Sequence, residues 1–325
     1  MTLGRIFRYV SSKILWGVVY LSVFLVSFCG SAIQKMSADP LRGAYSASTK
    51  EVGAIYHDLP YGAEESQRYD LYLPQDATRR YYGLVVALQS GAIASGDKKN
   101  VAELLQWFAS KGYVAAGINY TLIAKESSKT NVYRQYQEIK NAIPKVVTEA
   151  NRRGFAVDRM AITGGSSGGT LALLYAYRDA KTAPVPVKFV FEMSGLASFR
   201  DEDWARIDPC ATPSGMADLF SRLSGEEITT EMIVNGAYSE LMRPIAPDKW
   251  VDADSPATLL AHGAQDKVCP VESARTLVAE LKQHGTPHDY YEFPHSGHAL
   301  QNDRILLQAY MEKLEDYLWK YMPNY

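Results

Sequence analysis

Cysteine is scarce in this chain: Cys29, Cys210 and Cys269 are three among 325 residues. That is too few to staple a small loop-rich fold, so stability has to come from a buried apolar core. Charge of one sign is also missing. The chain sets 34 lysines and arginines against 36 aspartates and glutamates, for a net charge of −2, with both signs interspersed. No basic stripe points to nucleic acid, and no acidic tail points to a disordered arm. Internal repeats are absent, which argues against solenoids and propellers, and so are low-complexity tracts. The 47% hydrophobic content is enough to fill a substantial core.

The first 35 residues differ from the rest. Arg5, Arg8 and Lys13 precede Ile14 to Gln34, a run of 21 uncharged residues whose apolar heart ends at Cys29. A basic head before an apolar run is the pattern of a secretory signal or signal anchor. The charge bias keeps the head in the cytoplasm and sends the remainder out. The expectation is an exported protein, secreted or held at the membrane. Its leader is then cleaved near Gly30-Ser31-Ala32, lipidated at Cys29 (although Phe28 stands where a small residue belongs), or kept as a span. Residues 36–50 read as a linker, and 51–325 as one folded domain.

Within that domain the chain alternates strands and helices. Glu51 to Leu59 and Gln67 to Leu73 suit an edge hairpin. Gly83 to Leu88, Tyr113 to Asn119, 158–163 and Val187 to Met193 are apolar runs of the kind buried on both faces of a sheet. Helical periodicity follows most of them. The helix over 132–153 contains Pro144, which predicts a kink or a break. The pattern resumes with a strand at Ala257 to His262, a helix at Glu272 to His284 and a strand at His288 to Phe293. A closing helix over about 303–321 carries Ile305, Leu306, Tyr310, Leu314, Tyr317, Leu318 and Tyr321 on one face. This rhythm predicts an α/β fold, a mostly parallel central sheet covered by helices on both faces. The rhythm lapses over about 197–250, read here as an insertion after the sixth strand, a lid over the carboxyl edge of the sheet.

The chemistry gathers around Met160 to Leu174. An apolar strand tightens at Gly164-Gly165-Ser166-Ser167-Gly168 and leaves as a helix, the strand–turn–helix context that G-x-S-x-G needs to be a nucleophile elbow. Gly164 and Gly168 allow strand and helix to approach, while the turn lifts the serine Oγ above the sheet. The frame centred on Ser167 also fits the pattern, but Ser166 leaves the small residues Ser167-Gly168-Gly169 for the helix start.

A serine hydroxyl needs a base in reach and an acid to orient that base. Asp266 follows the strand ending at His262, and His298 follows the strand ending at Phe293. The order Ser, Asp, His is the one expected for a triad hung on the carboxyl ends of parallel strands. His295 competes for the role of base; Ser296-Gly297 gives His298 the looser loop. Asp252 and Asp254 precede their strand and read as surface caps, and Asp201, Glu202 and Asp203 read as a solvated face. His284, His288, His295 and His298 have permissive metal spacing but fall at opposite ends of a strand, so no metal and no cofactor is expected. The N–H of Ser167, with those of Gly91 and Ala92 after the strand 83–88, would supply an oxyanion hole. Cys210 and Cys269 are candidates for a disulfide after export.

Together these pieces resemble the α/β-hydrolase fold, and within it the esterases and lipases related to hormone-sensitive lipase and the feruloyl/acetyl-xylan esterase-like group. The likeness rests on Tyr69 to Pro74, Gln89 to Ala92, Gly112 to Tyr120, Gly164 to Gly169, Ser255 to Gly263 with Asp266, and Gly297-His298, and it covers about 51–322. It implies a serine hydrolase of small-molecule carboxylic esters, working through an acyl-enzyme. One departure stands out: the family's usual His-Gly-Gly is here Gln89-Ser90-Gly91. Serine resists the positive φ that glycine tolerates, which implies a displaced oxyanion hole. Two other readings share the scaffold. A prolyl-oligopeptidase-like peptidase lacks room here for its usual propeller. A non-catalytic binding module is motivated by export and by the altered loop.

Overall fold

The computed structural model describes residues 52–91, 95–123, 130–208 and 210–324. The expected leader and linker lie outside these residues. Eight strands form one sheet: β1 (Val52–Pro60), β2 (Arg68–Pro74), β3 (Tyr82–Leu88), β4 (Val114–Ile118), β5 (Val157–Gly165), β6 (Val187–Met193), β7 (Ala257–Gly263) and β8 (His288–Phe293). Their spatial order is β1-β2-β4-β3-β5-β6-β7-β8. Only β2 runs against its neighbours, pairing antiparallel with β1 and β4. The pairings from β4 through β8 are all parallel.

Period-two alternation divides the core into two halves. Along β3, Leu84, Val86 and Leu88 face one cluster, whereas Val85 and Ala87 face the other. The first cluster is closed by helices α2 (Val132–Arg152), α3 (Ser167–Asp179) and α8 (Val271–Gln283); the second by α1 (Ala102–Ser110) and α9 (Arg304–Tyr321). Both faces of the central strands are therefore dry, which is why their sequences are apolar without a break.

Three expectations change here. The helix α2 runs uninterrupted through Pro144. A proline in a helix interior costs about 3 kcal/mol, but Ile139, Ile143 and Val146 are fully buried on this helix. Burying three such side chains returns roughly 5 kcal/mol or more, so packing overrides the break. In α9, Tyr310, Met311, Leu314, Tyr317 and Leu318 form the buried face while Ile305 is 86% exposed. Five residues before Tyr310 is about 140° around the helix, so Ile305 falls off the stripe. Finally, Asp203 is buried and accepts from Thr276, so the acidic trio is not wholly a solvated face.

Between β6 and β7 the chain makes α4 (Asp201–Trp204), α5 (Pro213–Ser224), α6 (Thr230–Asn235), α7 (Tyr238–Met242) and two short 3₁₀ turns. Phe199 stacks on Trp204 at its centre, and Phe220 meets both edge-on and packs against Tyr238. The contacts of this stretch run to α2, α3 and α8 on one face of the sheet. Arg200 pairs with Glu280 at 2.5 Å, Arg178 donates to the Pro244 carbonyl, and Asp248 N–H to Ala197. Among the described residues, no helix is long and apolar enough to cross a membrane.

Candidate active site

Strand β5 ends at Gly165, α3 begins at Ser167, and Ser166 joins them at φ 52° and ψ −125°. For a residue with a Cβ this is a strained backbone conformation. The crossing is tight. A Cβ on Gly164 would lie 2.3 Å from the backbone of Gly168, and one on Gly168 would lie 2.5 Å from the carbonyls of Leu88 and Gln89. Glycine at 164 and 168 is thus what lets the strand, the helix and the end of β3 meet at one point. The elbow is held open by Ser166 N–H donating to the Met193 carbonyl at 2.8 Å.

Because β5, β7 and β8 run parallel, the loops that follow them emerge at the same edge. His298, after β8, places Nε2 at 2.9 Å from Ser166 Oγ. Its Nδ1 lies 2.7 Å from Asp266 Oδ2, after β7. Asp266 Oδ1 accepts the N–H groups of Val268 and Cys269 at 2.8 and 3.0 Å. Burial alone would push the Asp266 carboxyl up, but hydrogen bonds and charge from His262 and His298 outweigh it and hold the group well below the usual carboxylate range. It is a fixed anion behind the imidazole.

The competing candidates settle elsewhere. His295 is exposed and bonds Asp303 through both its backbone N–H and its ring, so it is a loop clasp. Asp252 caps the turn to Ser255 and pairs with Lys181. The four C-terminal histidines do not gather. Among the described residues, the cluster whose ligand atoms lie within 4.8 Å of one another is Asp266, Cys269 and His298. Cys210 and Cys269 do not pair; both are free and buried. Cys269 is committed instead to the turn around Asp266, its thiol beside Ser166 and driven well up by burial and by the Asp266 charge.

At the amino end of α3, where the oxyanion donors were expected, Ser167 heads the helix, so its N–H has no partner within it. Among the described residues of the loop after β3, Gly91 and Gly96 take positive φ, at 155° and 108°. A Cβ on Gly91 would sit 1.9 Å from the Ser95 carbonyl. Ser95 closes the turn by donating N–H and Oγ to the Gly91 carbonyl at 2.8 Å each. Ser90 is not among the residues with positive φ, so the departure from His-Gly-Gly does not put a serine where glycine is needed. The Gln89 side-chain carbonyl has no partner among the described residues, while its backbone carbonyl accepts Tyr120 OH at 2.9 Å. Ala92 lies outside the described residues.

Sequence reasoning passed over two buried groups next to this site. His262 and Glu192 are both fully buried near Asp266. The signal for Glu192 was visible: a carboxylate inside the apolar run 187–193 of a strand dry on both faces has to have a reason.

Comparison with known proteins fits this geometry. Among curated proteins, the chain is 27% identical over 217 residues to the "Probable carboxylic ester hydrolase LipM" of Mycobacterium tuberculosis, covering 65% of this chain and 48% of that one. It is 24% identical over 253 residues to esterase LipQ of the same organism, covering 74% and 56%. It therefore spans about half the length of the curated relatives it matches. Among solved structures, inhibited esterase B from Lactobacillus rhamnosis superposes with a TM-score of 0.66 at 19% identity, over 91% of this chain and 95% of that one. A truncated carbohydrate esterase from gut microbiota gives 0.65 at 19% identity, over 84% and 99%. At such identity these two establish the fold, the α/β-hydrolase arrangement seen in esterases. The BD-FAE family model matches residues 69–281, a span that runs from β2 through the elbow and the Asp266 turn to α8, and on that match the chain belongs to the BD-FAE family.

Proposed function

We propose that this protein is a serine hydrolase of carboxylic esters that works through an acyl-enzyme. The observation that carries the reading is the unbroken relay from Ser166 Oγ to His298 Nε2 at 2.9 Å and from His298 Nδ1 to Asp266 Oδ2 at 2.7 Å, with the serine held at positive φ on a tight elbow. The names of the relatives point the same way.

In this reading His298 takes the proton from Ser166 as Oγ attacks the ester carbonyl, and Asp266 holds the imidazole in the required tautomer and stabilises the imidazolium. The tetrahedral oxyanion forms over the amino end of α3. There the Ser167 N–H is free of helix bonds, and the Gly91 loop lies alongside to supply the remaining donors. His298 then returns the proton to the departing alcohol, and water repeats the sequence to release the acid.

The test is fluorophosphonate labelling followed by mass spectrometry, together with turnover of p-nitrophenyl acetate. The expected result is one adduct, on Ser166, lost in His298→Ala, and a fall of at least about 10⁴-fold in kcat for Ser166→Ala. A folded protein that takes no label, or a Ser166→Ala variant that still turns over the ester, would overturn the reading.

A further inference from the structure

Behind the relay lies a second imidazole. His262, next to last in β7, is fully buried. Its Nε2 lies 2.9 Å from the carbonyl oxygen of Cys269 and 3.4 Å from Asp266 Oδ2. A carbonyl can only accept, so Nε2 carries the hydrogen, and that N–H points into the notch between carbonyl and carboxylate. The same Asp266 oxygen receives His298 Nδ1 at 2.7 Å. One carboxylate oxygen thus faces two imidazoles, while the other is occupied by the N–H groups of Val268 and Cys269.

Glu192 completes the arrangement from the neighbouring strand. It is fully buried, and its Oε2 accepts Gly195 N–H at 2.6 Å. That oxygen would also lie 2.7 Å from a Cβ on Gly169, in the first turn of α3. The carboxylate is wedged between the elbow helix and the loop after β6, and its charge acts on both His262 and Asp266.

We propose that His262 is a positioning residue for the Ser166–His298–Asp266 relay: it pins the Asp266–Cys269 turn through the Cys269 carbonyl and, by sharing Asp266 Oδ2, tempers the hold of that carboxylate on His298. The inference rests on the relay being catalytic. Two donors at one oxygen compete, so each bond is weaker than it would be alone. A base held too firmly in its protonated form returns its proton poorly. Removing His262 leaves Asp266 wholly to His298, favours the imidazolium, and frees the turn that aims the carboxylate. The titratable groups set against His298 are Asp266 and Cys269 from the turn after β7, with His262 of β7 behind Asp266 and Glu192 of β6 acting in turn on His262 and Asp266. Among the described residues, the side chains that meet Asp266 Oδ2 are His298, hydrogen-bonded at 2.7 Å, and His262, in contact at 3.4 Å.

The experiment compares wild type with His262→Phe and His262→Gln in the full protein. It measures kcat and KM for p-nitrophenyl acetate from about pH 5 to 9, and the low-field proton resonance of the His298–Asp266 hydrogen bond. Loss of a charge-assisted bond predicts a fall in kcat of about tenfold in His262→Phe, with KM changed less than about twofold. It also predicts that the acid limb of the rate profile moves up by about half to one pH unit and that the resonance shifts. His262→Gln, whose amide nitrogen overlays Nε2, restores most of all three. If His262→Phe does not fold, His262→Asn replaces it, being polar but too short to reach Asp266. An unchanged pH profile with an unmoved resonance in a folded variant would overturn the proposal, whatever the loss of stability. The resonance does not depend on turnover. A wild type that takes no phosphonate label therefore counts against the hydrolase reading alone, while the resonance still decides on His262.

Discussion

The carboxyl ends of β6 and β7 each bury an acid near the elbow, and the pKa values of the two are shifted in opposite directions. Asp266 after β7 receives two backbone N–H groups and two imidazoles, and its carboxyl is held well below the ordinary range despite burial. Glu192 in β6 receives one N–H, from Gly195. Its other oxygen has no partner among the described residues. Burial dominates there and pushes it up to about 7. Both carboxyls are buried, so what separates them is the hydrogen bonding and charge each receives, and Asp266 has two imidazoles where Glu192 has one backbone N–H.

The sharpest break of this comparison is Asp266→Asn. With the neutral amide in place, His298 loses its orienting anion, and kcat is expected to fall by about 10⁴-fold with KM little changed, measured on p-nitrophenyl acetate. Next in size is Gly164→Ala at the elbow between the two acids. Its Cβ would meet backbone, not a side chain that can move, at 2.3 Å. The cost is expected to reach at least about 3 kcal/mol, read as a lowered urea midpoint or as insoluble protein.

Glu192→Gln tests the other arm of the comparison. The folded-state pKa of Glu192 is raised above the unfolded value, so the unfolded chain ionises first as pH rises. Stability is lost between about pH 4.5 and 7, while below that window both states are protonated and nothing is lost. At 1.36 kcal/mol per pH unit, the penalty at pH 8 is about 3 kcal/mol. Glutamine at 192 should therefore raise Tm at pH 8 and leave it nearly unchanged near pH 4. A smaller or equal gain at pH 8 would mean that Glu192 stays ionised at no cost. Asp266 has the opposite sign: its lowered pKa stabilises the fold above the ordinary aspartate range, and that contribution goes only as pH falls through the folded value. The smallest effect belongs to His295→Ala. The ring is exposed and its bond to Asp303 is a surface pair, worth less than about 1 kcal/mol, and turnover should not change.

Most of the frame could be read from the residues. Gly164-Gly165-Ser166-Ser167-Gly168 between an apolar strand and an apolar helix allows few geometries, and the positions of Asp266 and His298 after their strands made the relay legible. Their legibility has a physical basis, since parallel strands put such loops at one edge. Interactions that depend on the third dimension were not legible. Pro144 signalled a kink or a break, and buried packing overrode the break. The fate of Gln89-Ser90 depended on which residue of the loop took the positive φ, and a local pattern does not specify that. His262 looked like the end of a strand, because the residues that give it meaning, Glu192 and Cys269, lie 70 positions before it and seven after it in the sequence.

The order of the relay has a consequence for the chain while it is being made. Ser166 precedes His298 by 132 residues, and α9, which comes after His298, closes one half of the core. Tyr310 in α9 donates to the Glu192 carbonyl of β6, and Tyr317 to the Thr258 carbonyl of β7. A ribosome-bound chain can hold the elbow serine, and even most of the sheet, long before any imidazole can reach it. On the proposed mechanism, a product that stops short of His298 carries the serine without the means to activate it.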